Sequence, residues 1–378
     1  MRKEKAIATI LLVLSGAPTL EAFGASAPLP SMSGPLAANP NPLIIEADPL
    51  GMVDVTGALS GLAFGQTHAA PSDRNSGVDI GNAELFLQST EGRLQFFVQA
   101  GAYALPSLGA PYVNSNRTMH QTYGLVPEAF VKLTPSDEIS MEFGKLPSLI
   151  GVESTFTFEN ANIERGLLWN QTPSVSNGIQ VNYNRGQWNA SVSWNDGYYS
   201  GRYNWLTAVV SYALEGAQTI TLVAGANFGH TGYSSFATPL AQNNGAVADL
   251  AYNDTFGRWT FTPYVQVSRV PVDNRSGLQT GGSAFGAALL ASCKLSDNWS
   301  MAVRAEELIT AGSLNLLYGA GSGAWSATLT PTYQEGVFFA RAEASYVGIE
   351  NGKSGLALGR NLDEESQERL MLETGVLF

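Results

Sequence analysis

Residues 369–378 read RLMLETGVLF, and the chain stops on that phenylalanine. Successive side chains of a strand point to opposite faces. Leu370, Leu372, Thr374, Val376 and Phe378 therefore share one face, and Arg369, Met371, Glu373, Gly375 and Leu377 share the other. The first face is apolar and the second carries both signs of charge. Any half-buried strand alternates in this way, so the rest of the chain has to carry the test.

It repeats the pattern many times. From about Met52 onward, Ala83, Leu85 and Leu87 alternate with Asn82, Glu84 and Gln88. Ala129, Val131 and Leu133 alternate with Glu128, Phe130 and Lys132, and Ile139, Met141 and Phe143 with Ser140 and Glu142. Near the end, Phe338, Ala340, Ala342 and Ala344 alternate with Phe339, Arg341 and Glu343. Period two over so many segments is a strand signal.

The connections say more than the strands. Short turns fall at 90–92, 135–137, 185–186, 215–216, 255–257, 296–298 and 334–336. Longer loops fall between them, at about 65–77, 104–122, 146–174, 195–202, 229–244, 269–282, 310–322 and 348–366. Strict alternation of short and long is the pattern of an up-and-down transmembrane barrel with tight periplasmic turns and larger outer loops. The spacing predicts an all-β, antiparallel barrel of about 16 strands, each near the length that a tilted membrane strand needs. A propeller would repeat a motif about every forty residues, and no such repeat is present. Trp188, Trp259 and Trp299 each follow a short turn, where a periplasmic aromatic girdle is expected.

The N-terminus is consistent with export. Arg2, Lys3 and Lys5 precede a short apolar run at 6–14, and small residues follow up to Ala22-Phe23-Gly24. This reads as a signal peptide over residues 1–24. Residues 25–51 are rich in Pro, Ala and Asn and read as a periplasmic lead-in that either stays outside or folds into the lumen. The barrel is assigned to 52–378. No further apolar stretch reaches the length of a membrane helix.

The formal charge is −12, and losing residues 1–24 removes three bases and two acids. That balance argues against nucleic acid, whose phosphates need clustered Lys and Arg. Charged residues make up 14% of the chain, against about 25% in soluble proteins, which fits a wall that faces lipid. Cys293 is the only cysteine, so no internal disulfide forms, and it reads as a small apolar strand residue. No metal or cofactor motif is present. The three histidines, His68, His120 and His230, fall in separate outer loops with no triad-like neighbours. With so few general bases, an outer-membrane enzyme is the least favoured reading.

The longest loop, 146–174, reads LPSLIGVESTFTFENANIERGLLWNQTPS. It carries Leu149, Ile150, Phe156, Phe158, Ile163, Leu167, Leu168 and Trp169, more apolar weight than a solvated loop carries. Folding inward against the wall would bury that weight and narrow the lumen, and long loops are usually functional. Glu153, Glu159, Glu164, Arg165 and Trp169 are its candidate constriction residues.

Gly144-Lys145-Leu146-Pro147, then Ile150-Gly151-Val152-Glu153-Ser154, then residues 164–170 (ERGLLWN) resemble the OmpL-like β-barrel porins. Asn177-Gly178-Ile179 and Trp194-Asn195-Asp196-Gly197 fit as well. The likeness is sharpest over about 125–200. It implies a Gram-negative outer-membrane porin that passes small hydrophilic solutes through a channel constricted by an inward-folded third loop. It also implies that the last strand, with Leu370, Leu372, Val376 and Phe378 toward lipid, is the signal read by the barrel-assembly machinery.

Strand parity points Glu84, Glu128, Lys132, Glu142, Arg304, Glu306, Arg341, Glu343, Arg369 and Glu373 inward, with Lys145 at the loop's start. These are the candidate pore-lining groups, since rings of ionisable side chains set channel selectivity. Two arrangements fit them. Either a basic wall faces an acidic loop across an open pore, or the arginines pair with acids on neighbouring strands. The alternative to a porin is a closed structural or adhesive barrel that binds a partner through its outer loops.

Overall fold

The computed structural model describes residues 35–39, 41–48, 51–71 and 73–378. The signal-peptide segment, 1–24, lies outside the described residues. Sixteen antiparallel strands form the wall: β2 (Met52–Gln66), β3 (Ser76–Ser89), β4 (Leu94–Tyr103), β5 (Glu128–Leu133), β6 (Ile139–Pro147), β7 (Val175–Arg185), β8 (Trp188–Asn195), β9 (Trp205–Ala213), β10 (Thr219–Asn227), β11 (Ala246–Phe256), β12 (Trp259–Val270), β13 (Gly282–Lys294), β14 (Trp299–Gly312), β15 (Gly323–Glu335), β16 (Phe338–Glu350) and β17 (Ser366–Leu377). Each pairs with its sequence neighbours, and β17 pairs back onto β2 from Arg369↔Gln66 to Leu377↔Ala58. Backbone bonds between Gly57 and Phe378, 2.7 and 3.0 Å, complete that seam. Closure is what hydrocarbon demands, because an unpaired strand edge has no water to bond there.

The faces follow the sequence parity. Leu370 and Leu372 are 65% and 61% exposed on the outer wall, while Met371 and Glu373 are each 1% exposed inside. Trp188, Trp259 and Trp299 open β8, β12 and β14 on the outer face. They pack against Tyr212, Phe261 and Tyr333 with ring centroids 4.6, 5.7 and 5.2 Å apart, which builds the aromatic belt at the short-turn end. Cys293 is buried in β13 and free.

One segment is more ordered than its composition suggests. Within the Pro- and Ala-rich lead-in, β1 (Leu43–Glu46) pairs antiparallel with Met52–Val55 through Leu43↔Val55 and Glu46↔Met52. The reason is geometric. β2 runs past the end of β17, whose last partner is Ala58, and β1 takes the backbone groups that would otherwise form an open edge. Leu36 is buried in the cluster that contains Phe97, Phe339 and Leu377, and Ala37 exchanges two 2.8 Å bonds with the Gln334 amide.

Gly57 sits where the terminal ring crosses the seam. A Cβ there would run into the Phe378 ring and lie 2.8 Å from the Glu84 carbonyl oxygen. Gly57→Ala is therefore expected to weaken the closed barrel by about 1–3 kcal/mol. Heat-modifiable gel migration checks it: the folded band should be lost at a lower temperature, and Phe378→Ala should restore part of the difference.

Candidate functional site

Loop 146–174 enters the lumen and is held at four apolar points. Leu149 and Ile150 pack with Trp205, Val209 and Val223. Phe156 and Phe158 pack with Phe86, Tyr103 and Phe130. Ile163 packs with Leu62, Phe64, Tyr112 and Met371, and Leu167 and Leu168 pack with Tyr264, Leu308 and Tyr318. Each such side chain contributes about 1.5–3 kcal/mol when fully buried, which makes the inward path the low-energy one. The short helical turns Thr157–Glu159 and Trp169–Gln171 bend the loop between these points.

The charges do the fine positioning. On the wall, β14, β16 and β17 each present one arginine and one glutamate at i and i+2 or i+4. The carboxylates take the loop's backbone donors. Glu343 accepts from the Ile163 and Glu164 amides at 2.6 and 2.9 Å, and Glu306 from those of Leu167 and Leu168 at 3.0 and 3.3 Å. Glu373 accepts from the hydroxyls of Thr157 and Ser60, each at 2.8 Å, and from Asn82 at 3.1 Å. The arginines take the loop's acceptors. Arg304 pairs with Glu153 at 2.5 Å and donates to the Glu164 carbonyl at 2.7 Å. Arg341 pairs with Glu373 and donates to the Asn160 and Thr157 carbonyls at 2.8 and 2.9 Å. Arg369 pairs with Glu164 and also donates to Gln66, Ser107 and Ala110.

Wall-to-loop and wall-to-wall pairs stand side by side. Arg304 and Arg369 meet the loop acids Glu153 and Glu164, while Arg304 and Arg341 meet the wall acids Glu306 and Glu373, with Arg304 Nε 3.3 Å from Glu306. They meet at contact distance and not across an open gap. Every side chain in these pairs is at most 3% exposed.

The remaining wall candidates lie further round the barrel, on β3, β5 and β6. Glu84 accepts from Gln99 at 2.7 Å, Glu142 accepts from Gln180 at 3.2 Å and stands opposite Lys132, and Glu128 is buried at the outer end of β5. Lys145 ties down backbone instead of pairing with an acid. It donates to the Tyr123 and Val126 carbonyls at 2.8 and 2.7 Å and lies 5.0 Å from the Tyr199 ring centroid. Glu159 bonds the Phe156 amide at 3.0 Å.

Arg165 differs from the other three arginines. Its residue is fully buried, its guanidinium lies 5.4 Å from the Trp169 ring centroid, and none of its three side-chain nitrogens has a hydrogen-bond partner. Burial lowers its pKa to about 10, with Glu153 and Glu164 opposing that shift. Burial also raises Glu153, against the pull of Arg304.

Two parts of the site escaped sequence reasoning. Loop 104–127 also enters the lumen: Ser107 bridges to Arg165, and the Leu108 amide donates to the Arg165 carbonyl at 2.9 Å. Asp79 fastens this loop by accepting from Tyr112 and from both the amide and hydroxyl of Ser115. Leu105, Leu108 and Tyr112 were the available signal. Separately, His230 meets Asp273 at 2.7 Å across two outer loops, a pairing with no trace in local spacing. Its other ring nitrogen faces Arg275 at 3.2 Å, so no hydroxyl nucleophile occupies that position. Among the described residues no cluster of three or more His, Cys, Asp or Glu side chains is arranged to hold a metal ion.

A closed sixteen-stranded barrel with a loop seated in its lumen defines an outer-membrane β-barrel of porin-like class. The chain belongs to the family described as "Putative beta-barrel porin-2, OmpL-like", which matches residues 51–378. Solved structures with the same fold include outer-membrane expressed OmpT of Vibrio cholerae, at 12% identity and TM-score 0.61, covering 89% of this chain and 100% of that one. The anion-selective porin from Comamonas acidovorans has 12% identity and TM-score 0.58, covering 86% and 99%. The outer membrane channel DcaP of Acinetobacter baumannii has 10% identity and TM-score 0.59, covering 86% and 97%. No curated protein matches the chain.

Two predictions concern the loop. Arg304→Met leaves Glu153 and Glu306 buried without their cation and is expected to cost about 3–5 kcal/mol. Arg165→Met removes a guanidinium that has no partner and should leave stability unchanged or higher; urea unfolding in lipid vesicles compares the two. The second prediction is a pH dependence. Glu159 is half-buried as a residue, and burial pushes its carboxyl up to about 7. A carboxyl raised on folding contributes stability that is full below its ordinary value of 4.5 and is lost as pH rises through about 7. The barrel with its loop seated should therefore resist heat better at pH 5 than at pH 8, and Glu159→Gln should flatten that difference.

Proposed function

We propose that this protein is a narrow outer-membrane porin in which small hydrophilic solutes and ions diffuse past the seated loop 146–174. The supporting observation is a loop seated inside a closed sixteen-stranded barrel, fastened to Arg304, Arg341 and Arg369 on one side of the lumen, in a chain of a porin-like family.

In this reading the half-buried Glu159 is the loop's selectivity group, Glu153 and Glu164 act as latches, and the buried Arg165 packs on Trp169. The remaining candidates on β3, β5 and β6 (Glu84, Glu128, Lys132 and Glu142) line the adjoining stretch of wall. The last strand would also carry the assembly signal through Leu370, Leu372, Val376 and Phe378.

The second reading, a closed structural or adhesive barrel, draws on the dryness of the latch, where Glu164 and Arg165 are each 0% exposed. Planar-bilayer recording separates the two. The porin reading expects small discrete conductance steps, and larger, noisier steps from an Arg304→Met, Arg369→Met variant whose loop has lost two anchors. Silence from both proteins over many insertions would establish the closed barrel.

A further inference from the structure

Three outer loops line an open cleft of about 470 Å³, within the range of sites that hold small organic ligands. The loop 104–127 contributes His120, Gln121 and Thr122, from the end of α1 (Ser115–Gln121). Loop 196–204 contributes Tyr199, and loop 228–245 contributes Tyr233, Ser235, Phe236 and Ala237. Three aromatic rings in one mouth, with Tyr233 and Phe236 56% and 52% exposed, are unusual on a surface that faces water.

The cavity is built in advance. Tyr199 holds φ +54°, a left-handed conformation that costs a non-glycine residue about 1–3 kcal/mol. Its ring is fixed edge-on to Tyr123, with centroids 5.3 Å apart and planes at 87°, and lies beside the Lys145 ammonium. Thr238 donates to the Tyr198 and Tyr199 carbonyls at 2.8 and 3.2 Å, which joins two of the three loops. Arg117 lies 5.4 Å from the Phe236 ring centroid and donates to Gln121 Oε1 at 2.7 Å, joining the third.

The lining is polar but carries no carboxylate. Because Gln121 Oε1 is taken by Arg117, its amide NH2 is left as the donor. His120 Nδ1 donates to the Asn116 carbonyl oxygen at 2.7 Å, which leaves Nε2 as the ring's second polar atom. Tyr199 and Tyr233 add hydroxyls. A hydrocarbon would leave these groups unpaired, and a cation would find no carboxylate. A small inorganic anion would not use the rings. A ring-shaped molecule with C–H faces and a rim of hydroxyls uses both sets.

We propose that the outer mouth carries a saccharide-binding subsite, with Tyr199, Tyr233 and Phe236 against the sugar faces and His120 and Gln121 on its hydroxyls. Binding there does not depend on conduction, so this inference and the porin reading fail separately.

The test is saturation-transfer NMR on the refolded full barrel, in a detergent without a sugar headgroup, with maltotriose, xylotriose and trigalacturonate as probes. Transfer to the ring C–H protons of at least one is expected. It should weaken about tenfold in a Tyr233→Ala, Phe236→Ala variant that keeps its heat-modifiable migration. Gln121→Leu should weaken it less. Transfer that is absent for all three probes, or equal in wild type and the double variant, overturns the proposal. So does binding of sodium benzoate in place of every saccharide.

Discussion

The seam between the last strand and the first is the constraint on which the rest depends. A sheet in hydrocarbon cannot leave an edge, so the backbone of β17 must meet that of β2 over its whole length. Once the ring is closed, parity leaves each strand one lipid face and one lumenal face. The lumen then holds whatever charge the inner face carries, and that charge must be hydrated or paired. In this protein much of it is paired, with a loop that the chain itself supplies.

The resulting latch is a template for backbone as much as an ion-pair network. Glu306 and Glu343 are spent on loop amides, and Arg341 on loop carbonyls. An irregular loop has many backbone groups that secondary structure does not satisfy, and burying them without partners would be prohibitive. Alternating Arg and Glu on adjacent inner faces supplies donors and acceptors in the order the loop needs them. A buried ion pair adds little net stability against an apolar substitute, so positional specificity is the better account of why these charges stand here.

Much of this was legible in the sequence. Strand alternation and hairpin lengths are local signals, so the barrel, its strand count and the lumenal parity of Arg304, Arg341 and Arg369 could be read directly. The inward path of 146–174 was legible because Phe156, Ile163, Leu167 and Leu168 have no other place to be buried. The pairing scheme was not legible. Whether Arg369 meets Glu164 or Glu373 depends on strand stagger and loop path together, and both candidates lie at plausible depth. The entry of loop 104–127 was hidden because its few apolar residues are spread among polar ones. The His230–Asp273 contact is set by how two outer loops lean together, which no spacing encodes.

The placement of the latch on the chain has a consequence for the order of events in assembly. Glu164 is synthesised about two hundred residues before Arg369 and Glu373, and those two lie on the strand that closes the ring. Until that strand is seated, Glu164 lacks its cation and Arg341 lacks the carboxylate that neutralises it. Seating the loop in an unfinished barrel would bury those charges uncompensated, which is far more costly than leaving them wet. Loop docking and ring closure are thereby coupled into one late step. The loop stays in water while the wall is being built and takes its seat only when the wall is complete.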